Sequence, residues 1–340
     1  MIDGHRHILC EEAQKMAIRL DPIKATDYLD GAHEASAEIN RRNAPAWNRK
    51  MTDLEEHVAD MVGSGIDMGV LWPPPVGFYY WAEPLAGAEL ARLINENMSR
   101  IISEKPDRFL GLAAVPLQNT DLAVRELIHA IRHLGLHGVV IASNVNGQGL
   151  DEERFHPFFE QSERLNVPIF IHPHNAAGSE RMRNYYLINF LGYPMDSTLA
   201  AAQLLFGGIL DRFPGLKICL AHAGGVLPFL LGRLEHGQSV RPEARKSCAH
   251  PVSYYLRHFY MDSITFRPEA IRFVLSTVPE GHVFMGTDYP FDMGDLDAVQ
   301  SVKSAVTDEI PLKQILGGTL RQIMGLSWTD DLGKKEGILK

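Results

Sequence analysis

Eight short apolar runs, separated by stretches of helical periodicity, set the tightest limit on how this chain can fold. The runs are Met1–Gly4, Met68–Trp72, Phe109–Val115, Gly138–Ala142, Pro168–Ile171, Leu216–Ala221, Phe259–Asp262 and Val283–Gly286. Between them lie amphipathic segments over Asp53–Ser64, Ala86–Glu104, Leu122–Leu134, Glu152–Leu165, Thr198–Phe213, Pro268–Val278 and Leu296–Val306. Each run has strand length, and each spacer is long enough to cross over and return the chain parallel. Eight parallel strands close a barrel, so the expected fold class is α/β, a (β/α)8 TIM barrel.

With 340 residues, 45% of them hydrophobic, the chain has core material for one such unit over residues 1–326 and a polar tail over 327–340. The exception to the rhythm is residues 8–52, which follow the first strand with mixed, charged sequence and no clear strand. Loops at the C-terminal ends of barrel strands build active sites, so this insertion is expected to cap one; the alternative is a peripheral decoration. Net charge is −9 with no basic block, which argues against nucleic acid as a partner. Three cysteines cannot make a disulfide framework, and neither a leader-like start nor a long apolar stretch is visible. A cytoplasmic protein without membrane contact is expected.

The chemistry is concentrated where the strands should end. His5 and His7 flank Arg6, and period-two geometry sends both imidazoles to one face, the barrel interior. His172 ends the fifth run, His222 ends the sixth, and Asp288 follows the eighth. His5, His7, His172 and Asp288 make a nitrogen-rich ligand set suited to Zn²⁺, and His222 is left over as a base. Arg233 and Arg241 follow the His222 strand; guanidinium grips carboxylates with paired hydrogen bonds, although solvated surface charge is the plain alternative.

Other residues read more plainly. His174 suits a solvent-facing place or a supporting role, Cys219 a core position, and Pro73–Pro75 a stiff loop wall. Tyr79, Tyr80 and Trp81 read as core, while His33, His57, His129, His133 and His236 read as surface. Cys10 and Cys248 have no partner pattern.

The segments Asp3-Gly4-His5-Arg6-His7, Ile171-His172-Pro173, Ala221-His222-Ala223-Gly224-Gly225 and Gly286-Thr287-Asp288-Tyr289-Pro290-Phe291 together resemble the amidohydrolase-2 branch of the amidohydrolase superfamily. The likeness runs from residue 2 to about 326 and is greatest to its decarboxylases. It implies one divalent ion, usually zinc with manganese as the alternative, on His5, His7, His172 and Asp288, with His222 as acid/base and Asp288 also placed to accept from activated water. It further implies a homodimer or larger homo-oligomer in which Arg233 or Arg241 reaches across the interface to a small anionic carboxylate substrate. A second arginine comes from the insertion, where Arg49 is chosen over Arg41 and Arg42. Tyr186 lines the pocket where relatives carry tryptophan, and His174 also replaces a tryptophan. The implied reaction is non-oxidative decarboxylation of an unsaturated or aromatic acid; a carbon–carbon hydrolase or hydratase of a ring-cleavage product, and a silent metal-binding barrel, are the alternatives.

Overall fold

A computed structural model describes residues 1–26 and 34–326. Its eight strands are β1 Ile2–His7, β2 Met68–Trp72, β3 Phe109–Ala113, β4 Gly138–Ala142, β5 Ile169–His172, β6 Ile218–Leu220, β7 Phe259–Asp262 and β8 Val283–Phe284. They stand side by side in sequence order, and every adjacent pair is parallel. The barrel is a TIM barrel, as the alternation of runs and helices predicts. The ring closes through backbone bonds between β1 and the segment after β8: Gly4 N–H to Met285 O at 2.8 Å, Asp288 N–H to His5 O at 2.8 Å and His7 N–H to Tyr289 O at 2.9 Å.

Burial on both faces explains why the strands are nearly all apolar rather than alternating. Every residue of β4, Gly-Val-Val-Ile-Ala, is buried. Inside the barrel, Trp72, Phe170 and Phe284 pack edge to face, with centroids 4.9 Å and 6.0 Å apart. Gly4 is required by that filling, since a Cβ there would lie 2.5 Å from the Phe284 ring. Helix ends follow local chemistry: Asp53 accepts from the N–H groups of Glu55 and Glu56, and Asn119 accepts from that of Leu122.

Among the described residues, the insertion after β1 contains two helices, Glu11–Leu20 and Glu34–Thr52. The first packs Ala13 and Ala17 with Leu90, Ala91 and Ile94 of the helix Pro84–Glu104. His33 and the tail 327–340 lie outside the described residues. Among the described residues, no helix is long and apolar enough to cross a membrane. Tyr79 and Tyr80 are core residues, as expected. His57 is not a surface residue: it is fully buried and accepts from Arg6 Nε at 2.9 Å. The side chain of Arg6 reaches out from β1 to this ring, a contact that a helical period alone does not reveal.

Candidate metal centre and active site

β1 is bulged. Asp3 faces Gly69 while Arg6 faces Leu71, so three steps on β1 match two on β2. His5 and His7 still project inward, and the buried Arg6 points the other way, under the ring of Tyr289 at 4.0 Å and onto His57. Asp3 ties this segment to the loop after β8. Its carboxylate accepts from His5 N–H, Arg6 Nη1, Thr287 N–H and Thr287 Oγ1 at 3.1, 2.9, 3.0 and 2.6 Å.

One nitrogen each from His5, His7 and His172 and one Asp288 oxygen lie within 4.8 Å of one another. Donors at about 2.0–2.2 Å from one ion can be up to about 4.4 Å apart, so a contraction of a few tenths of an ångström would seat a single metal. His5 Nε2 and His172 Nε2 are buried with no hydrogen-bond partner among the described residues, the condition of lone pairs reserved for a cation. Their other nitrogens are engaged: His5 Nδ1 donates to Asp262 Oδ2 at 2.9 Å, and His172 Nδ1 donates to Pro173 O at 2.9 Å. This is the outer-shell pattern that fixes a ligating imidazole in its tautomer. The donor set therefore fits a divalent ion.

The electrostatics agree. Burial, then repulsion from His222, His5 and His7, holds His172 well below the ordinary imidazole range, so it presents a neutral lone pair. Burial also lowers His7, against the pull of Asp288. At Asp288, burial works toward the neutral acid, but the imidazoles of His5, His222 and His7 outweigh it and keep the carboxyl well below its usual range. For His222, burial is likewise outweighed, here by Asp288, and the net shift is upward. His222 Nε2 stands 3.5 Å from Asp288 Oδ2. Both residues have left-handed backbones, φ 54° and 58°, which non-glycine residues adopt only where surroundings insist.

A cavity opens over this cluster. His172, His222 and Asp288 form its floor, Gln14, Asn40, Trp47, Asn48 and Met51 of the insertion face it, and Tyr186, Asn189, Tyr193 and Phe291 complete the wall with Pro74 and Pro75. Tyr186 is part of that wall, and burial raises its phenol so that it stays a donor. Arg49 is not part of it. It is a largely exposed residue locked onto Glu56 by two hydrogen bonds of 2.7 and 3.0 Å, and it faces a different hollow. An arginine one turn before the end of a helix follows its helix face, and this one faces outward. Arg233 and Arg241 are exposed on and just beyond the helix Leu227–Val240, and among the described residues no arginine or lysine lines the cavity. His174 is half-buried beside Phe78, outside the cavity wall.

Asp3 and Asp262 escape a sequence reading, although Asp262 ends an apolar run in the same manner as His172. That strand-end rule was the available signal.

A barrel rim carrying a one-metal donor set beside a separate histidine defines a metal-dependent enzyme of the amidohydrolase type. The chain belongs to that family: its model, described as amidohydrolase, matches residues 2–318. The chain is 38% identical over 341 residues to a 2-amino-3-carboxymuconate-6-semialdehyde decarboxylase of Dictyostelium discoideum, covering 96% of this chain and 91% of the other. A gamma-resorcylate decarboxylase of Rhodococcus jostii is 29% identical over 220 residues, 60% of this chain and 67% of that one. Among solved structures, a 5-carboxyvanillate decarboxylase of Sphingomonas paucimobilis superposes with a TM-score of 0.86 at 26% identity, covering 96% and 99% of the two chains. A dihydroxybenzoic acid decarboxylase of Polaromonas, with bound manganese and 2-nitroresorcinol, shares the fold at a TM-score of 0.83 and 22% identity over 98% and 99%. This chain is a carboxy-lyase, a metal-dependent non-oxidative decarboxylase of an unsaturated or aromatic carboxylic acid.

Proposed function

We propose that the substrate is a small anionic acid close to 2-amino-3-carboxymuconate semialdehyde, and that His5, His7, His172 and Asp288 hold a zinc ion. One observation carries the reading: the four donors cluster within 4.8 Å of one another, and two of them, His172 and Asp288, form with His222 the floor of a cavity whose walls are largely apolar and aromatic. Three imidazoles and one carboxylate favour zinc over harder ions, manganese being the alternative. The bound ion supplies positive charge for the substrate and acidity to a coordinated water.

Trp47, Phe291, Tyr186, Pro74 and Met51 enclose a flat conjugated skeleton, and the side-chain amides of Gln14, Asn48 and Asn189 offer polar contacts to its substituents. His222, its basicity raised by Asp288, donates a proton to the carbon that bears the carboxylate, using an electron pair of the conjugated system. The bond to the carboxylate then breaks, its electrons restore the conjugation, and CO₂ leaves. Hydrogen stands where the carboxylate stood. Asp288 would be one of the ion's ligands, and its Oδ2, 3.5 Å from His222 Nε2, stabilises the charged imidazole.

An anionic substrate calls for positive charge, and among the described residues no arginine or lysine lines the cavity. We assign that charge to Arg233 or Arg241 of a second copy, in a homodimer whose interface includes the helix Leu227–Val240. The exposed Phe229 lies one turn before Arg233 on that helix, which gives the contact an apolar anchor beside the cation. Three buried free cysteines suit a reducing compartment, and we place the enzyme in the cytoplasm.

The test is turnover in D₂O against a panel of carboxymuconate semialdehydes and hydroxybenzoates. Released CO₂ and one deuterium on the carbon that lost it are expected, with the muconate semialdehyde preferred. A product that keeps every carbon and gains water, or two fragments without CO₂, overturns the reaction. A hydroxybenzoate preference overturns the substrate alone.

A further inference from the structure

The carboxylate of Asp262, at the end of β7 and fully buried, is surrounded by four donors. Oδ2 accepts from His5 Nδ1 and from the backbone N–H of His222, both at 2.9 Å. Oδ1 accepts from the backbone N–H groups of Ala223 and Ile264, at 2.8 and 3.1 Å. His222 and Ala223 are two successive non-glycine residues with φ 54°, a turn that costs free energy and persists only if the surroundings over-determine it. The segment after β8 also approaches this group closely: a Cβ on Gly286 would lie 3.0 Å from that of His5 and 3.1 Å from that of Asp262.

From this geometry we propose that Asp262 is a positioning residue that couples the metal grip of His5 to the placement of the acid/base His222. The coupling rests on the metal-centre reading above. Its first half is the tautomer. A carboxylate oxygen only accepts, so the His5 proton is held on Nδ1 and Nε2 faces the ligand cluster as a bare lone pair. The second half is the strained turn, because the same carboxylate receives the N–H groups of both left-handed residues and so aims the His222 ring over the cavity floor.

Asparagine at this position cannot serve all four donors. With its amide oxygen toward Ala223 and Ile264, its NH₂ opposes the N–H of His222 and drives His5 to the tautomer protonated on Nε2, which cannot ligate. With the amide flipped, the NH₂ opposes Ala223 and Ile264 and the turn is released.

The experiment measures Zn²⁺ affinity by competition with a chromophoric chelator, and kcat and KM at saturating Zn²⁺, for the wild type, Asp262→Asn, His222→Ala and the double variant. For Asp262→Asn we expect zinc binding weakened by about 10- to 100-fold. At full zinc loading its kcat falls by about tenfold or more with KM within about twofold, and in the His222→Ala background the same change no longer alters kcat. A role confined to folding would leave the kcat loss equal in both backgrounds, and that result overturns the proposal. So does wild-type zinc affinity in Asp262→Asn. If that variant does not fold, Asp262→Glu decides, since it keeps an acceptor for His5 but shifts the turn: wild-type kcat at full loading overturns the coupling. A wild-type protein that binds neither zinc nor manganese removes the metal-centre reading and this proposal together, whereas tight binding in the wild type and equally tight binding in Asp262→Asn removes only the proposal.

Discussion

The two halves of the candidate active site are built differently. The metal side, on β1, β5, β7 and the β8 loop, is fully buried and held by crossed hydrogen bonds from Asp3 and Asp262 to segments far apart in sequence. The substrate side consists of insertion helices and the Tyr186 loop, with amide and aromatic side chains that are mostly half-buried or exposed. On one side a displacement of any group strands a buried donor or acceptor, which costs about 1–3 kcal/mol each. On the other, residues can change with little effect on the rest. A decarboxylase fold can therefore keep its chemistry while altering which acid it accepts.

The sharpest way to break this contrast is on the metal side. Replacing His172 or Asp288 by alanine should remove the ion and lower kcat/KM by at least about 10³-fold, with elemental analysis as the check. Retained metal together with wild-type turnover would mean the four donors do not act as one site. His222→Asn comes next: the metal stays, and kcat drops by about 10²- to 10⁴-fold. Loss of metal in that variant would make His222 a principal ligand instead.

Smaller effects belong to the substrate side. Arg233→Ala and Arg241→Ala should raise KM by roughly 10- to 100-fold for whichever arginine grips the carboxylate, as a charged hydrogen-bonded contact is worth about 1.5–3 kcal/mol. Mixed dimers of that variant with His222→Asn should regain part of the activity; verified mixed dimers that stay dead confine the site to one chain. Tyr186→Phe should alter KM by only a few-fold and shift the ranking of substrates more than the rate, so a kcat loss as deep as that of His222→Asn would erase the distinction between the two sides.

The smallest expected effect lies beneath the metal side, at His57. Burial, then the charge of Arg6, depresses its basicity well below the usual range; Asp60 opposes this, His7 adds to it, Lys50 supplies only a carbonyl acceptor, and Tyr289 packs on the ring. The folded state therefore binds fewer protons than the unfolded one below about pH 6.5, and stability must fall as pH drops through that region, by at most about 1.4 kcal/mol per pH unit from this group. Thermal melts at pH 7.5 and 5.5 should differ less in His57→Asn than in the wild type. An unchanged difference would assign the acid sensitivity to other groups.

Much of the barrel was legible because its signal is local. Each strand is a short apolar run, and the polar residue that ends a run falls at the rim by the geometry of the fold. This rule located His5, His7, His172, His222 and Asp288 together. The same rule marks Asp262, at the end of β7, but not its partner His5, 257 residues away, nor does it reach the burial of His57 against Arg6.

The sequence by itself therefore determined the periodicities, and with them the barrel, the order of its strands and the donor set at its mouth. The tertiary structure alone decided which carboxylate holds which imidazole, the bulge that sets β1, the left-handed turns at His222 and Asp288, and the outward lock of Arg49 on Glu56. The physical reason is range. Side-chain direction along a strand or helix repeats every 2 or 3.6 residues and can be read within a segment. The partners that satisfy a buried polar group come from wherever closure of the barrel brings them, and nothing within one segment encodes them.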